Sequence, residues 1–77
     1  GMEYKLYKEG ELIGSFNPIK LFKKLSKYRR IISTPGGTRV SVFDSRLERM
    51  TIEIEDENRS RRVRAMDFLK IYLKDNI

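Results

Sequence analysis

The chain has 77 residues and a formal net charge of +6, and it contains neither cysteine nor histidine. A chain of this length forms one small domain, and such a domain buries only about 60% of the surface that its unfolded form exposes. Without cysteine it has no disulfide framework and no thiolate zinc site, and without histidine it lacks the commonest general base and metal ligand. These exclusions argue against an enzyme and against a bound cofactor.

The apolar runs of the chain are short, three residues at most, whereas a membrane-spanning helix needs about 18. No charged segment followed by an apolar one opens the chain, so we expect no leader and a cytoplasmic location. Gly1 before Met2 is interpreted as a remnant of a cleaved tag. Residues 1–77 are therefore expected to be one small protein with a single domain.

Positive charge is concentrated at the two ends of the sequence. Residues 1–30 carry eight basic and three acidic side chains, residues 31–58 carry three and six, and residues 59–77 carry six and two. The three segments thus have net charges of +5, −3 and +4. A field of one sign says more about the partners of a protein than about its fold.

Two strands open the chain, at residues 3–8 and 11–16, where apolar and polar residues alternate. A three-residue loop with Gly10 in the left-handed conformation predicts a hairpin that pairs Leu6 with Leu12 and Tyr4 with Gly14. A two-residue turn at positions 9 and 10 would shift this pairing, and the sequence leaves both registers open.

An amphipathic helix follows at Asn17, which suits the N-cap position, and Pro18, which suits the first helical position. Apolar side chains recur at Ile19, Phe22 and Leu25 and predict the buried side of this helix. At 100° per residue, four lysines fall on the other side within an arc about 100° wide.

Three further strands are predicted at residues 30–34, 38–43 and 50–55. Pro35 and Gly36 suit the central positions of a type II turn between the first two. The third strand alternates cleanly, with Met50, Ile52 and Ile54 on one face.

The last segment has two interpretations. A helix beginning near Ser60 is favoured slightly, since residues 62–74 show helical spacing. Arginines at the start of a helix oppose its dipole, however. Residues 61–65 could instead continue the sheet as another strand, with Asp67 capping a shorter helix.

These elements predict an α+β fold, with a small antiparallel sheet of four or five strands and two helices packed on one face, in the order ββαββ(β)α. The other face of the sheet is then exposed to solvent or to a partner. Tyr4 and Tyr7 point to opposite faces of one strand, so one of them is expected on the uncovered face. Phe43 is out of phase with Val40 and Val42 and could join it, but packing in the core is favoured for Phe43 in a domain with so few apolar residues.

The lysine stripe of the predicted helix is the first candidate binding site. It consists of Lys20, Lys23, Lys24 and Lys27, and Arg29 and Arg30 extend it beyond the helix. Several cations at such spacing suit the phosphates of a nucleic-acid backbone, because binding releases condensed counterions. A solvated helix face is the plain alternative, although surface helices usually mix opposite charges four residues apart.

The arginine cluster near the end of the chain is the second candidate. It consists of Arg59, Arg61, Arg62 and Arg64. Guanidinium groups bind phosphates through two parallel hydrogen bonds. The alternative is pairing within the molecule, with the upstream carboxylates of Glu53, Glu55, Asp56 and Glu57. These carboxylates lack the spacing of a calcium loop, so no metal site is expected.

The sequence therefore yields two functional hypotheses. The first is a small nucleic-acid-binding or regulatory protein, which requires the lysine stripe and the arginine cluster to form one positive surface. The second is a protein-interaction module or a homodimer that uses an open sheet edge or face, as marginal small domains often do. No small-molecule substrate is evident, because nothing in the sequence indicates a walled pocket with catalytic groups.

Overall fold

Residues 3–75 are described by a computed structural model, and they form two α-helices, six strands and one short 3₁₀ helix. The elements in chain order are β1 (Glu3–Lys8), β2 (Glu11–Phe16), α1 (Pro18–Ser26), β3 (Arg29–Ser33), β4 (Arg39–Phe43), the 3₁₀ helix (Ser45–Arg49), β5 (Met50–Glu55), β6 (Ser60–Arg64) and α2 (Ala65–Asp75). The predicted α+β class and the outline of the element order are confirmed.

The strands divide into two sheets rather than one. Four of them form an antiparallel sheet in the order β2-β1-β5-β6, and β3 and β4 form a separate two-stranded ribbon. Both helices pack on one face of the larger sheet. The core contains buried side chains from the sheet, both α-helices and the 3₁₀ helix: Tyr4, Leu6, Leu21, Leu25, Leu47, Met50, Ile52, Ile54, Ala65, Phe68 and Leu69.

The first hairpin closes with the two-residue turn at positions 9 and 10, one of the two registers that the sequence leaves open, so the pairs predicted for the three-residue loop are wrong. Glu9 and Gly10 both adopt positive φ angles, 51° and 82°. This is the combination that matches the twist of a tight hairpin. Tyr4 consequently lies opposite Phe16, and Leu6 lies opposite Gly14, with an irregularity after Leu6. The sequence pattern could not reveal that a glutamate accepts the left-handed conformation.

The start of α1 agrees with its sequence signals. The side chain of Asn17 accepts a hydrogen bond of 2.9 Å from the Lys20 N–H, and Pro18 occupies the first helical turn. Leu21 and Leu25 are fully buried against the sheet, whereas Ile19 is 61% exposed, so its predicted place on the buried side of the helix is wrong. The side of the helix that carries the lysines is thereby turned away from the core.

Residues 60–64 form strand β6, so the favoured helix start near Ser60 is wrong. All five residues of β6 pair with β5, and Val63 lies beside the buried Ile52 while Arg62 lies beside Glu53. Pairing an arginine with a glutamate across strands avoids the penalty of arginines at a helix start. Helix α2 begins at Ala65 and carries Asp67 in its first turn.

The ribbon of β3 and β4 extends away from the core. Gly37, at φ 86°, takes the left-handed position, and its N–H donates to the Thr34 carbonyl at 2.9 Å. The predicted type II turn is therefore wrong, because that turn would place Gly36 at positive φ. The described residues measure 48 × 25 × 16 Å with a radius of gyration of 13.8 Å, against about 11 Å for a compact domain of this length.

Candidate nucleic-acid interface

One long segment of the chain carries all of the net positive charge. Residues 12–43 contain seven Lys and Arg side chains and no Asp or Glu, whereas the other 45 residues have a net charge of −1. In the structure this segment forms most of β2, all of α1 and the whole ribbon. The charges in the sequence analysis are counted over residues 1–30 and 31–58. This division separates the ribbon from the helix, and the concentration of charge is therefore not visible there.

The lysine stripe lies on the solvent-exposed side of α1. Lys20, Lys23 and Lys27 are exposed, and Lys24 is half-buried with its Nζ 5.5 Å from the centroid of the Phe16 ring. Among the described residues, none of the four lysines forms an ion pair. Their charges are therefore available to an anion, apart from the contacts of Lys24 and Lys27 with aromatic rings.

Three arginines continue this charge along the ribbon. The pairing of β3 with β4 places Arg29 and Arg39 on one face of the ribbon and Arg30 on the other. Arg29 Nε donates to the Ser41 Oγ at 3.1 Å, which holds the guanidinium across the ribbon. Arg39 was not among the candidate residues, and the signal that identifies it is the acid-free run around it.

The base of the ribbon contacts Tyr28, which lies between α1 and β3. The N–H of Asp44 donates to the Tyr28 carbonyl at 2.7 Å, and the Arg46 guanidinium lies 5.0 Å from the centroid of the Tyr28 ring. Arg46 also donates two side-chain hydrogen bonds to the Asp44 carboxylate, at 2.7 and 3.0 Å. Asp44 is the first carboxylate after residues 12–43, and Arg46 neutralises it locally. It therefore does not offset the positive charge of the helix and the ribbon.

The pKa of the Asp44 carboxyl is lowered to about 2, first by the side-chain hydrogen bonds from Arg46 and then by the Arg46 N–H. Its charged form therefore stabilises the fold above a pH of about 4, and this stabilisation is lost as the pH falls towards 2. We expect Asp44→Asn to make the melting temperature less dependent on pH between 4 and 2, because asparagine keeps the capping oxygen but cannot ionise.

Thermal unfolding at half-unit pH steps measures this effect. Glu48→Gln is the matched control, since Glu48 is an exposed carboxylate of the same 3₁₀ helix that forms no ion pair within residues 3–75. An Asp44→Asn curve as steep as that of the parent protein would contradict the prediction.

The arginine cluster lies at the other edge of the main sheet. Arg62 Nε is 3.7 Å from a Glu53 carboxylate oxygen and its guanidinium carbon is 4.6 Å from the Tyr7 ring centroid, while Arg64 donates to both carboxylate oxygens of Asp67. Pairing with Glu53 was the alternative interpretation of this cluster. Arg59 contributes its N–H to a turn closed by Asp56.

The lysine stripe and the arginine cluster do not form one surface. Helix α1 lies over β1 and β2, whereas the cluster belongs to β6, three strand spacings from β2, or about 14 Å. Arg62 also points to the sheet face opposite the helices, because it shares a register position with Glu53. The requirement set by the sequence analysis, that the lysine stripe and the arginine cluster form one positive surface, is therefore not met. The nucleic-acid hypothesis depends on the helix and the ribbon alone.

The uncovered face of the main sheet is polar. Lys5 Nζ pairs with Glu55 at 3.1 Å, and this contact raises the pKa of Lys5 and lowers that of Glu55. Of the two tyrosines of β1, Tyr7 lies on this face and Tyr4 lies in the core, edge-on to Phe68. Phe43 packs at the margin of the core, as the favoured interpretation predicted, and not on the uncovered face.

Comparisons of the chain with protein-family models, with curated proteins and with solved structures found no match. Within residues 3–75, neither helix is long and apolar enough to cross a membrane.

Proposed function

We propose that this protein binds nucleic acid through the phosphate backbone, using α1 and the ribbon together. The basic surface, as we name it, consists of Lys20, Lys23, Lys24, Lys27, Arg29, Arg30 and Arg39. The observation that carries the proposal is the acid-free segment, which places seven cations on adjoining elements without one intervening carboxylate. The proposal retains the cytoplasmic location expected from the sequence.

The charge arrangement of α1 supports a binding role. Lys20 and Lys24, and likewise Lys23 and Lys27, are like charges four residues apart, and each such pair destabilises a helix by about 0.2–0.5 kcal/mol. A helix that needed only solubility would gain by mixing glutamates with these lysines. A phosphate backbone supplies the missing negative charge, and counterion release then contributes to affinity.

The ribbon adds a shape argument for duplex DNA. The major groove of B-form DNA is about 12 Å wide and admits a two-stranded ribbon. The narrow major groove of an RNA helix does not. Arg29 and Arg39 lie on one ribbon face about 13 Å apart along the strand direction. A ribbon lying in the groove would therefore place Arg29 near the phosphates at its base and Arg39 near the phosphates at its tip.

The decisive experiment is a fluorescence-anisotropy titration of labelled duplex DNA, single-stranded DNA and duplex RNA at several salt concentrations. The test variant carries Lys20, Lys23, Lys24 and Lys27 all changed to Glu. The control variant carries the same change at Arg59, Arg61, Lys70 and Lys74, which are exposed, lie outside the basic surface and form no ion pair among the described residues. Both variants have a net charge of −2, so they differ only in where the charge was removed.

We expect the parent protein to bind duplex DNA with a log–log salt slope of about −6, since seven phosphate contacts contribute about 0.9 each. The test variant should lose more than tenfold in affinity, and the control less than threefold. Equal losses in the two variants would show that only the total charge matters. No binding by the parent protein at low salt would refute the proposal.

A second candidate function is self-association or binding of another protein through the ribbon. Four apolar side chains of the ribbon are exposed to solvent: Ile31, Ile32, Val40 and Val42. No described strand other than its own partner pairs with either ribbon strand, and open edges of this kind are templates for pairing with another chain. This candidate predicts a solution mass above the monomer value of 9.2 kDa.

A further inference from the structure

A cleft lies between β6 and α2, away from the basic surface. Its volume is about 720 Å³, and its floor contains the apolar side chains of Tyr4, Ile54 and Phe68. Ile71 of α2 stands at its wall and is 60% exposed. A cleft of this size with an apolar floor leaves hydrophobic surface open to a ligand.

The cleft follows the free edge of the main sheet. β6 is the last strand in the order β2-β1-β5-β6, and no other strand within residues 3–75 pairs with its outer side. The four consecutive residues 61–64 all line the cleft. Since successive side chains of a strand point to opposite faces, the cleft follows the backbone of β6. Backbone donors and acceptors are therefore accessible along it.

The walls of the cleft are positively charged. Arg61 and Lys70 line it, and neither forms an ion pair within the described residues. Asp67 is the acidic side chain among the lining residues, and its carboxylate is already occupied by Arg64. An acidic ligand would thus meet two cations whose charge is not balanced locally.

We propose that an extended acidic segment of another protein docks here as a fifth strand beside β6. Its backbone would pair with the outer edge of β6, and its alternate side chains would point into the cleft and away from it. An apolar side chain would cover Ile71 and Phe68, and an acidic side chain two residues away, on the same face of the added strand, would meet Arg61 and Lys70. A nucleic-acid backbone fits less well, because it has no apolar group for the floor and no strand to add to the edge. The site is independent of the basic surface.

The test uses a fluorescein-labelled peptide of seven residues, Glu-Thr-Leu-Thr-Glu-Thr-Leu, with both ends blocked, which presents glutamate and leucine on the same face of an extended strand. Two further peptides isolate the two kinds of contact. One carries lysine in place of each glutamate, and the other carries methyl groups on alternate backbone nitrogens, which prevents strand pairing. Each peptide is titrated with the full-length protein, and binding is followed by anisotropy.

Matched variants locate the site. Ile71→Glu is compared with Ile19→Glu, because Ile19 is 61% exposed on α1 and has no part in the cleft. Arg61→Glu is compared with Arg39→Glu, which makes the same change of charge on the ribbon. All four positions are exposed, so these variants should fold as the parent does, and circular dichroism verifies this.

We expect the parent protein to bind the acidic peptide and neither of the other two. Ile71→Glu and Arg61→Glu should each weaken binding at least tenfold, and Ile19→Glu and Arg39→Glu less than twofold. Absence of binding by the parent would overturn the proposal. So would equal weakening by Arg61→Glu and Arg39→Glu, or full binding of the methylated peptide. Arg39→Glu alters the basic surface, and Arg61→Glu alters the cleft. Loss of peptide binding can therefore be distinguished from loss of nucleic-acid binding.

Discussion

Replacing Leu69 with alanine is expected to lower the free energy of unfolding by about 2–5 kcal/mol. Leu69 is fully buried where α2 packs on the sheet. Its truncation removes apolar contacts and leaves a cavity that the neighbouring strands can fill only in part. A domain of this length has a total stability of about 4–12 kcal/mol, so this single change should remove a large fraction of it.

Ile71→Ala is the matched control for this prediction. Ile71 lies two residues further along the same helix and is 60% exposed, so its truncation should change the free energy of unfolding by no more than about 0.5 kcal/mol. Urea denaturation followed by circular dichroism measures both variants. Similar losses in the two would mean that α2 does not present Leu69 to the core.

The class of the fold could be predicted because its signals are local. Asn17 and Pro18 mark a helix start by their own backbone and side-chain preferences. The alternation of Met50, Ile52 and Ile54 marks a half-buried strand without reference to the rest of the chain. Such features depend on a few neighbouring residues, and the structure retains them.

The errors concern pairing, which local signals do not determine. Residues 60–64 became a strand because β5 offers Glu53 to Arg62 and Ile52 to Val63, and these partners lie about ten residues upstream. Helical periodicity in the following residues was real, but it belongs to α2 alone. Pairing with β5 thus outweighed the helical periodicity, which extends only partly into residues 60–64.

Leu47 shows a second kind of gap. The sequence predicts no element between residues 43 and 50, yet residues 45–49 form a 3₁₀ helix that buries Leu47 completely. One apolar residue in a polar connection has no periodicity to reveal it. Its burial depends on the position of α2, which packs against this turn.

The candidate site was predicted in its helical half. The lysine stripe follows from the geometry of α1 alone, and the structure places it on the exposed side. From the sequence, Arg29 and Arg30 are named as candidates but Arg39 is not, because β3 and β4 are assigned to the main sheet, where the helices would cover one of their faces. Only the separation of the ribbon shows that Arg29 and Arg39 share one exposed face.

Excision of the ribbon tests the proposed function most directly. In this variant an Asn-Gly turn replaces residues 30–42, so that Arg29 and Phe43 remain paired at the base. We expect the domain to stay folded, because the contact of Asp44 with Tyr28 and the packing of Phe43 are both kept. An isolated two-stranded ribbon is at best marginally stable, so it contributes little to the stability of the rest.

Affinity for duplex DNA should fall at least tenfold in the excised variant. The control keeps the ribbon and changes Arg30 and Arg39 to Gln, which removes the same two charges. Both variants should lose about 1.8 from the magnitude of the salt slope, at about 0.9 for each phosphate contact. If the ribbon enters the groove, the excised variant must bind more weakly than the control, because it also loses the surface that fits there.

Sedimentation of the same proteins separates the two candidate functions. If the exposed side chains of Ile31, Ile32, Val40 and Val42 mediate self-association, the parent protein should exceed the monomer mass and the excised variant should not. Such a shift combined with unchanged affinity for DNA would assign the ribbon to protein contact and refute its part in nucleic-acid binding. The other outcome is a monomeric parent protein whose affinity for DNA falls when the ribbon is excised. That result would assign the exposed apolar side chains to the DNA groove, where they can contact the methyl groups of thymine.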